Sequence, residues 1–360
     1  MKLLKFGYNI AKNLHDEIPY MFFNGRACKP LKVVWELTYK CNLRCSFCYL
    51  VHEGRDKILK ELTTDEIKNV IDQFSPLFPI ITYTGGEPFV RKDIMEILRY
   101  TKRKNMCGIL TNGTLLNDDI CRQLVEMNLD SVTISLDGPE KIHDRLRSMK
   151  GSYSKIINSF TNLQKWKRKL GRNKPYLHTN TVIVPQNVKY LYKVVEIAHE
   201  IGLDSCSFQT VDPSLDRSGL NIMDDHNFLR YKKPTIFEVD KIEPNILRES
   251  IEKIKKTAMK LDVNIRFVPE SFTENDLIDY YSQKIDYSRC DCRLPWNLMY
   301  ISPSGEVYPC FNYKIGNVRK DNVNKLWNNY YYRKFRQELK KRKIFPSCVG
   351  CCNMIYRRKK

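Results

Sequence analysis

The sequence predicts an α/β protein, a partial (β/α)6 TIM-like barrel followed by a small cysteine-rich β-hairpin/helix module. Three observations carry that expectation. Six short β-rich runs alternate with amphipathic helical stretches from about residue 33 onward. Residues 286–360 then gather cysteines around a hairpin signal. Apolar residues make up 42% of a 360-residue chain, enough to bury a large core and too much for a disordered one.

The strand candidates are VVWELTY (33–39), PIITYTG (79–85), MCGILTN (106–112), SVTISLD (131–137), LHTNTVIV (177–184) and SCSFQTV (205–211). Each is rich in Val, Ile, Thr or aromatics and short enough to be buried on both faces. Helices lie between them. Thr64 is the expected N-cap of DEIKNVIDQF and Asn117 that of DDICRQLVEM. Ile156, Phe160, Leu163, Trp166 and Leu170 form one stripe that stops at Gly171. Strand–helix alternation implies right-handed parallel crossovers, and six strands leave a barrel open at one side. A doubly wound sheet is the alternative topology. Residues 212–245 are polar and turn-rich, as an insertion or active-site cover would be, and a helix at about 246–262 and a strand VNIRFV follow. The expected organisation is an N-terminal amphipathic extension (1–30), a barrel core (31–211), a cover with the last barrel helix (212–285) and the cysteine-rich module (286–360).

No apolar run approaches the roughly 18 residues that span a bilayer, and the N-terminus is too polar for a signal peptide. A cytoplasmic protein is therefore expected. Thirteen cysteines, seven of them tightly grouped, point in such a chain to metal or redox chemistry rather than disulfides. The net charge of +20 suggests an acidic partner. Half of it lies in residues 329–360, where eleven Lys or Arg face one Glu. That segment reads first as the solvated face of a helix, with contact to nucleic acid or membrane as the competing readings. Leu3, Phe6, Ile10 and Leu14 share a helical face beside Lys2, Lys5 and Lys12. Such a helix can close the bottom of the barrel or lie on an anionic membrane, which would suit a lipid or cell-envelope substrate.

The segment KCNLRCSFCYL places Cys41, Cys45 and Cys48 directly after the first strand, at the end of an α/β fold where chemistry is built. A structural zinc site wants four ligands. Three thiolates on one short loop suit a 4Fe-4S cluster whose fourth iron stays open. TGGEP (84–88), TNG (111–113), SLDG (135–138) and HDRLR (143–147) follow in order, the first three at strand ends.

CxxxCxxC with these companions resembles the radical S-adenosylmethionine (SAM) superfamily. The resemblance implies that Cys41, Cys45 and Cys48 each ligate one iron and that the open iron takes the amino and carboxylate groups of SAM. Gly85, Gly86 and Glu87, with Pro88 after them, would meet its ammonium. Phe47 would flank the adenine, Ser135 would bond the ribose and Arg147 would grip the carboxylate. Asn112 and Asp137 belong to the same set, with turn capping as their competing role. The implied reaction is one-electron cleavage of SAM to a 5′-deoxyadenosyl radical that abstracts hydrogen from a substrate. A low-potential donor such as flavodoxin or ferredoxin would supply the electron.

Between Cys292 and Cys310 the sequence NLMYIS–PSG–EVYPC reads as a hairpin, and Cys348 and Cys351 form a CxxC. Two such pairs can hold zinc as well as an iron–sulfur cluster. PSGEVYPC, IGNV (315–318), LWNN (326–329) and CxxC together resemble the SPASM/Twitch extension of radical SAM enzymes. That resemblance implies an auxiliary 4Fe-4S cluster on Cys292, Cys310, Cys348 and Cys351 for electron transfer. The seven-cysteine form runs on with further cysteines, whereas only nine residues follow Cys351 here, so one auxiliary cluster is expected. Cys290 and Cys352 are spare neighbours, while Cys28, Cys107, Cys121 and Cys206 read as buried apolar residues. Sulfatase-maturing relatives carry an acid directly after the hairpin cysteine. Phe311 stands there, which disfavours that activity.

The resemblance leaves the substrate open between a peptide, whose binding protein would be separate, and a small molecule. About 32 residues precede the first strand, too few for a peptide-binding domain of their own. The non-enzyme alternative is a basic, zinc-binding nucleic-acid protein.

Overall fold

A computed structural model describes residues 15–48, 50, 60–211, 240–310, 313–345, 348 and 350–357. The N-terminal amphipathic face, most of the expected cover and Phe311 lie outside them.

The barrel strands are β1 (Lys32–Thr38), β2 (Ile80–Gly85), β3 (Met106–Thr111), β4 (Ser131–Ser135), β5 (Tyr176–Ile183) and β6 (Ser205–Thr210), each parallel to the next. Between them run α1 (Thr64–Phe74), α2 (Ile94–Lys102), α3 (Asp118–Glu126), α4 (Glu140–Arg147), α5 (Ser152–Lys169) and α6 (Leu191–Ile201). The helix α7 (Pro244–Leu261) leads into β7 (Ile265–Val268), which pairs parallel with β6, so the parallel series runs one strand beyond the expected six. Helix α8 (Glu274–Tyr281) follows.

Local chemistry sets the helix ends. Thr63, not Thr64, caps α1: its hydroxyl accepts from Glu66 N while Glu66 returns the bond to Thr63 N. Thr64 instead donates to Asp93 at 2.6 Å. Asn117 caps α3 as expected. On α5 the stripe Ile156, Phe160 and Leu163 is buried. Trp166 only borders the core and Leu170 is exposed, because the helix ends there.

The cysteine-rich module is not set apart from the barrel. After β8 (Cys290–Asp291), the hairpin β9 (Leu298–Ile301) and β10 (Glu306–Tyr308) continues the barrel sheet. β9 lies parallel to β1, and β11 (Gly316–Asn317) closes the row antiparallel to β10. Among the described residues the sheet order is β11-β10-β9-β1-β2-β3-β4-β5-β6-β7. An edge strand with unpaired N–H and C=O groups invites pairing, and β9 gives that partner to β1. The helices α9 (Val323–Trp327) and α10 (Tyr330–Arg342) and the strand β12 (Ile355–Tyr356), paired with β8, complete the module. The motif LWNN is a tether: Asn328 exchanges hydrogen bonds with the backbone of Ala27, and Trp327 donates to Cys28 O. One hydrophobic core runs from Val33, Trp35 and Tyr83 through Phe208 to Trp296, Tyr332 and Phe335.

The strands are not apolar on both faces. Val132, Ile134, Leu177, Cys206 and Phe208 pack into the main core under the helices. The alternate positions Thr133, Ser135, His178, Asn180, Ser207 and Gln209 share the opposite face in register. The alternation in SCSFQT was the visible sign, and its reason is a polar interior wall.

Candidate functional site

The three-cysteine loop begins three residues after β1 and is fixed from both sides. Gly86 N donates to Thr38 O at 2.7 Å and Glu87 N to Lys40 O at 2.9 Å. A Cβ on Gly85 would stand 2.3 Å from Thr38 O, and one on Gly86 would stand 2.2 Å from Lys40 O. The two glycines therefore let the end of β2 press against the backbone that launches the cysteines. Arg91 stakes the same corner through Leu37 O, Glu61 and Asp93.

Donors point at the sulfurs. Leu43 N lies 3.4 Å from Cys41 Sγ, Asn112 Nδ2 lies 3.9 Å from it, and Arg147 Nη1 lies 3.7 Å from Cys45 Sγ. Burial pushes the Cys41 thiol up; the Leu43 N–H opposes this, while Glu87, Cys45 and Cys48 add to it. Burial likewise raises Cys45, opposed by Arg147. Both raised thiols favour the protonated form in this setting; a metal charge among them would remove the mutual repulsion, and the N–H donors would then hold thiolates.

The expected SAM-binding residues come together at this mouth, with some of their groups already engaged. Glu87 is fully buried. Its carboxylate accepts from Phe89 N, Thr111 Oγ1 and Asn112 N at 2.7–3.0 Å. Burial pushes it up to about 7 against those three donors. Pro88 opens the short turn Pro88–Val90 that Glu87 caps. Asn112 joins Asn42 at 2.8 Å and Thr114 in a side-chain network that no motif signals. Arg147, the last residue of α4, ion-pairs with buried Asp137 at 2.6 Å and lies over the Phe47 ring at 5.1 Å. Burial alone would lower the Arg147 guanidinium, but Asp137 and Cys45 hold it above its ordinary range. Asp137 N donates to His143 Nδ1, and burial lowers that imidazole to about 4, so it is neutral. Ser135 is half-buried at the end of β4, opposite Asn180.

The interior behind the mouth has two unlike walls. Beside β1 stand Leu298, Tyr300 and Tyr308, packed with Val34 into a small apolar cluster apart from the main core. Across the barrel, His178 bonds Ser205 at 2.7 Å and Ser207 at 2.8 Å. Ser207 donates to Asn180, and Asn180 to Gln209. Arg266 on β7 lies 3.5 Å from His178 Nε2. Burial first, then Arg266, lowers His178 to about 4.

The other cysteines of the second set lie within electrostatic reach of Cys292. Burial pushes the Cys292 thiol well above its ordinary value, and Cys348, Cys351 and Cys310 add to the push in that order. Cys290 is instead influenced by Asp286, Arg289, Asp276 and Asp291, and it faces β12. Cys352 Sγ accepts from Asn353. Phe345 N donates to Cys348 Sγ at 3.3 Å. Among the described residues no three such side chains draw together tightly enough for a single ion. An iron–sulfur cluster asks less, because its thiolates bind separate irons at separate corners.

Fold and site define a class of protein: an open α/β barrel with one thiol set at its mouth and another in a flanking module. The family model of the Radical SAM superfamily matches residues 35–187, and the SPASM iron–sulfur cluster-binding domain matches residues 290–352. The chain belongs to the radical SAM superfamily and carries a SPASM domain. Its cofactors are accordingly a 4Fe-4S cluster, an auxiliary iron–sulfur cluster and SAM. Over 91% of its length it is 27% identical to an AdoMet-dependent heme synthase of Methanosarcina barkeri, covering 92% of that protein. It is 34% identical to an Fe-coproporphyrin III synthase of the same organism over 48% of the chain, which spans 41% of that relative. Its fold matches the crystal structure of Streptococcus suis SuiB bound to precursor peptide SuiA, with a TM-score of 0.65 and 17% identity, over 91% of this chain and 72% of that one. No described helix is long and apolar enough to cross a membrane.

Proposed function

We propose that the protein is a radical SAM modifying enzyme that abstracts hydrogen from a peptide or a carboxylate-bearing small molecule. Cys41, Cys45 and Cys48 would hold the cluster that, when bound, delivers one electron to SAM. The observation that carries this reading is the pairing of two thiol sets with different surroundings on one barrel. N–H donors from Leu43, Asn112 and Arg147 meet the first set, in which Cys45 is buried and Cys41 and Cys48 are partly exposed. The second, with Cys292 and Cys348 buried and Cys310 and Cys351 partly exposed, belongs to a module whose Trp296 and Tyr332 are buried.

The chain's own groups have definable tasks. Asn112, Arg147 and the Leu43 N–H steady the thiolates, and Asp137 and Phe47 fix the guanidinium. Arg147 would offer its remaining N–H groups to the SAM carboxylate, and Ser135 would meet the ribose. Glu87 would set the backbone that faces the ammonium, since its own oxygens are occupied. The apolar wall would exclude water, and the polar wall from Thr133 to Gln209 would orient substrate. Cys292, Cys310, Cys348 and Cys351 would hold the auxiliary cluster for electron transfer, with a flavodoxin or ferredoxin as external donor.

A peptide is supported by the likeness to SuiB, and a carboxylate-bearing tetrapyrrole by the full-length similarity to a heme synthase. The test is anaerobic incubation of the iron-loaded chain with SAM and dithionite, measuring 5′-deoxyadenosine. Deuterated peptides and porphyrins are then compared for label transfer into that product. Colourless protein carrying zinc, or a fully iron-loaded chain that releases no 5′-deoxyadenosine, would sink the reading.

A further inference from the structure

Arg336, on α10, is a buried cation without a carboxylate. It is fully buried, with its Cζ over two rings, 3.9 Å from the centre of Tyr332 and 4.3 Å from that of Trp327. Its Nε donates to Pro295 O at 2.7 Å, and its Nη1 donates to Asn328 Oδ1 at 2.9 Å and Gly25 O at 3.2 Å. These acceptors are neutral. Its Nη2 has no hydrogen-bond partner among the described residues. No ion pair within 4.0 Å involves it among those residues, although Arg91, Arg147 and Arg319 all have one.

A charge in a protein interior without a counter-ion is unfavourable, and burial lowers this guanidinium to about 10. Pro295 follows Cys292 by three residues, in the short turn Leu294–Trp296. Tyr332, which Arg336 covers, is within electrostatic reach of Cys310. Arg336 thus grips the backbone three residues beyond one cysteine of the second set, and the ring it covers is within electrostatic reach of another. A cluster on four thiolates is net negative in both of its usual oxidation states, and more so when reduced.

We propose that Arg336 is the buried counter-charge of the auxiliary cluster, holding its reduction potential up and favouring its assembly. The proposal rests on the reading that Cys292, Cys310, Cys348 and Cys351 hold a cluster. Across a ring in a low-dielectric interior a cation acts more strongly than through solvent, and it favours the state with the extra electron. Tyr332 is itself fully buried and donates to Leu298 O at 3.0 Å.

The test uses the full chain with Cys41, Cys45 and Cys48 replaced by Ala, so that only the auxiliary site can take iron. Iron content is measured after anaerobic reconstitution, and the midpoint potential by EPR-monitored titration with dithionite. In that background R336Q is expected to move the midpoint to more negative values, while R336K keeps most of the parent value. An unchanged midpoint in iron-loaded R336Q overturns the proposal. Where R336Q does not retain iron, the comparison moves to R336K. Retention of iron by R336K supports a charge effect. Equal loss in both variants assigns Arg336 to its hydrogen bonds with Pro295 and Gly25 and overturns the proposal. A background chain that binds zinc, or no iron, overturns the cluster reading itself and the proposal with it.

Discussion

The two cysteine sets use the same ligand atom in opposite surroundings. Cys41, Cys45 and Cys48 stand on a loop among hydrogen-bonding side chains, with N–H donors from Leu43, Asn112 and Arg147 beside two of the sulfurs. Cys292, Cys310, Cys348 and Cys351 stand beside a module filled with rings, where Trp296, Tyr332 and Phe335 are buried. Polar neighbours tolerate an exchangeable ligand and shifting charge. A module rich in buried rings suits a closed cluster, whose potential responds to nearby charge. Placement separates the sites, since thiolate chemistry is common to both.

The largest effect expected from breaking this contrast is at the mouth. Cys45→Ala should remove roughly half of the iron and bring 5′-deoxyadenosine formation to background, as read by iron assay and chromatography. Cys292→Ala should lose a similar share of iron yet keep SAM cleavage, while product formation from substrate falls away. If the two variants behave alike, the division of roles is wrong.

Gly86→Ala comes next. A Cβ 2.2 Å from Lys40 O forces the cysteine loop outward, at a cost of about 1–3 kcal/mol. Urea unfolding should show the loss, and iron should fall at the first site with the second retained.

Glu87 gives a pH-dependent prediction. Its folded value, about 7, lies above the ordinary 4.5. Between those values the folded chain holds a proton that the unfolded chain has released, so stability falls as pH rises through that window. The full loss is on the order of 3 kcal/mol. Lowered His143 and His178 act in the opposite direction, losing stability as pH falls below 6.5. Comparing Glu87→Gln with the parent isolates the carboxylate: the variant should gain relative stability from pH 5 to pH 7.5 in unfolding titrations. A constant difference would show that Glu87 stays ionised throughout. The smallest effect is expected from Cys352→Ser, which should keep the parent iron content because the described contacts gather Cys292 with Cys310, Cys348 and Cys351 instead.

Much of the mouth was legible in the chain because its parts are local. CxxxCxxC, TGGEP, TNG and SLDG each end or follow a strand, and strands are short-range patterns. The motif points Gly85 and Gly86 at the ammonium of SAM, yet the first contact these glycines relieve is with Thr38 and Lys40 at the neighbouring strand end. TNG pointed to Asn112, but its partners Asn42 and Thr114 left no signal, since single polar residues in loops are unremarkable. The interior wall was half legible: SCSFQT alternates, but a run rich in Val, Ile and Thr reads equally well as apolar on both faces.

The sequence by itself determined the spacing of the cysteines, the order of the motifs and the strand–helix alternation, because these are properties of the chain alone. Tertiary structure decided that β9 pairs with β1 and so joins the module to the barrel sheet. It also brought Tyr300 and Tyr308 to one wall and His178 and Arg266 to the other, and it sealed Arg336 in without an anion. Each of these joins residues far apart in sequence, and only the packing of the sheet and the shared core fixes which of them meet.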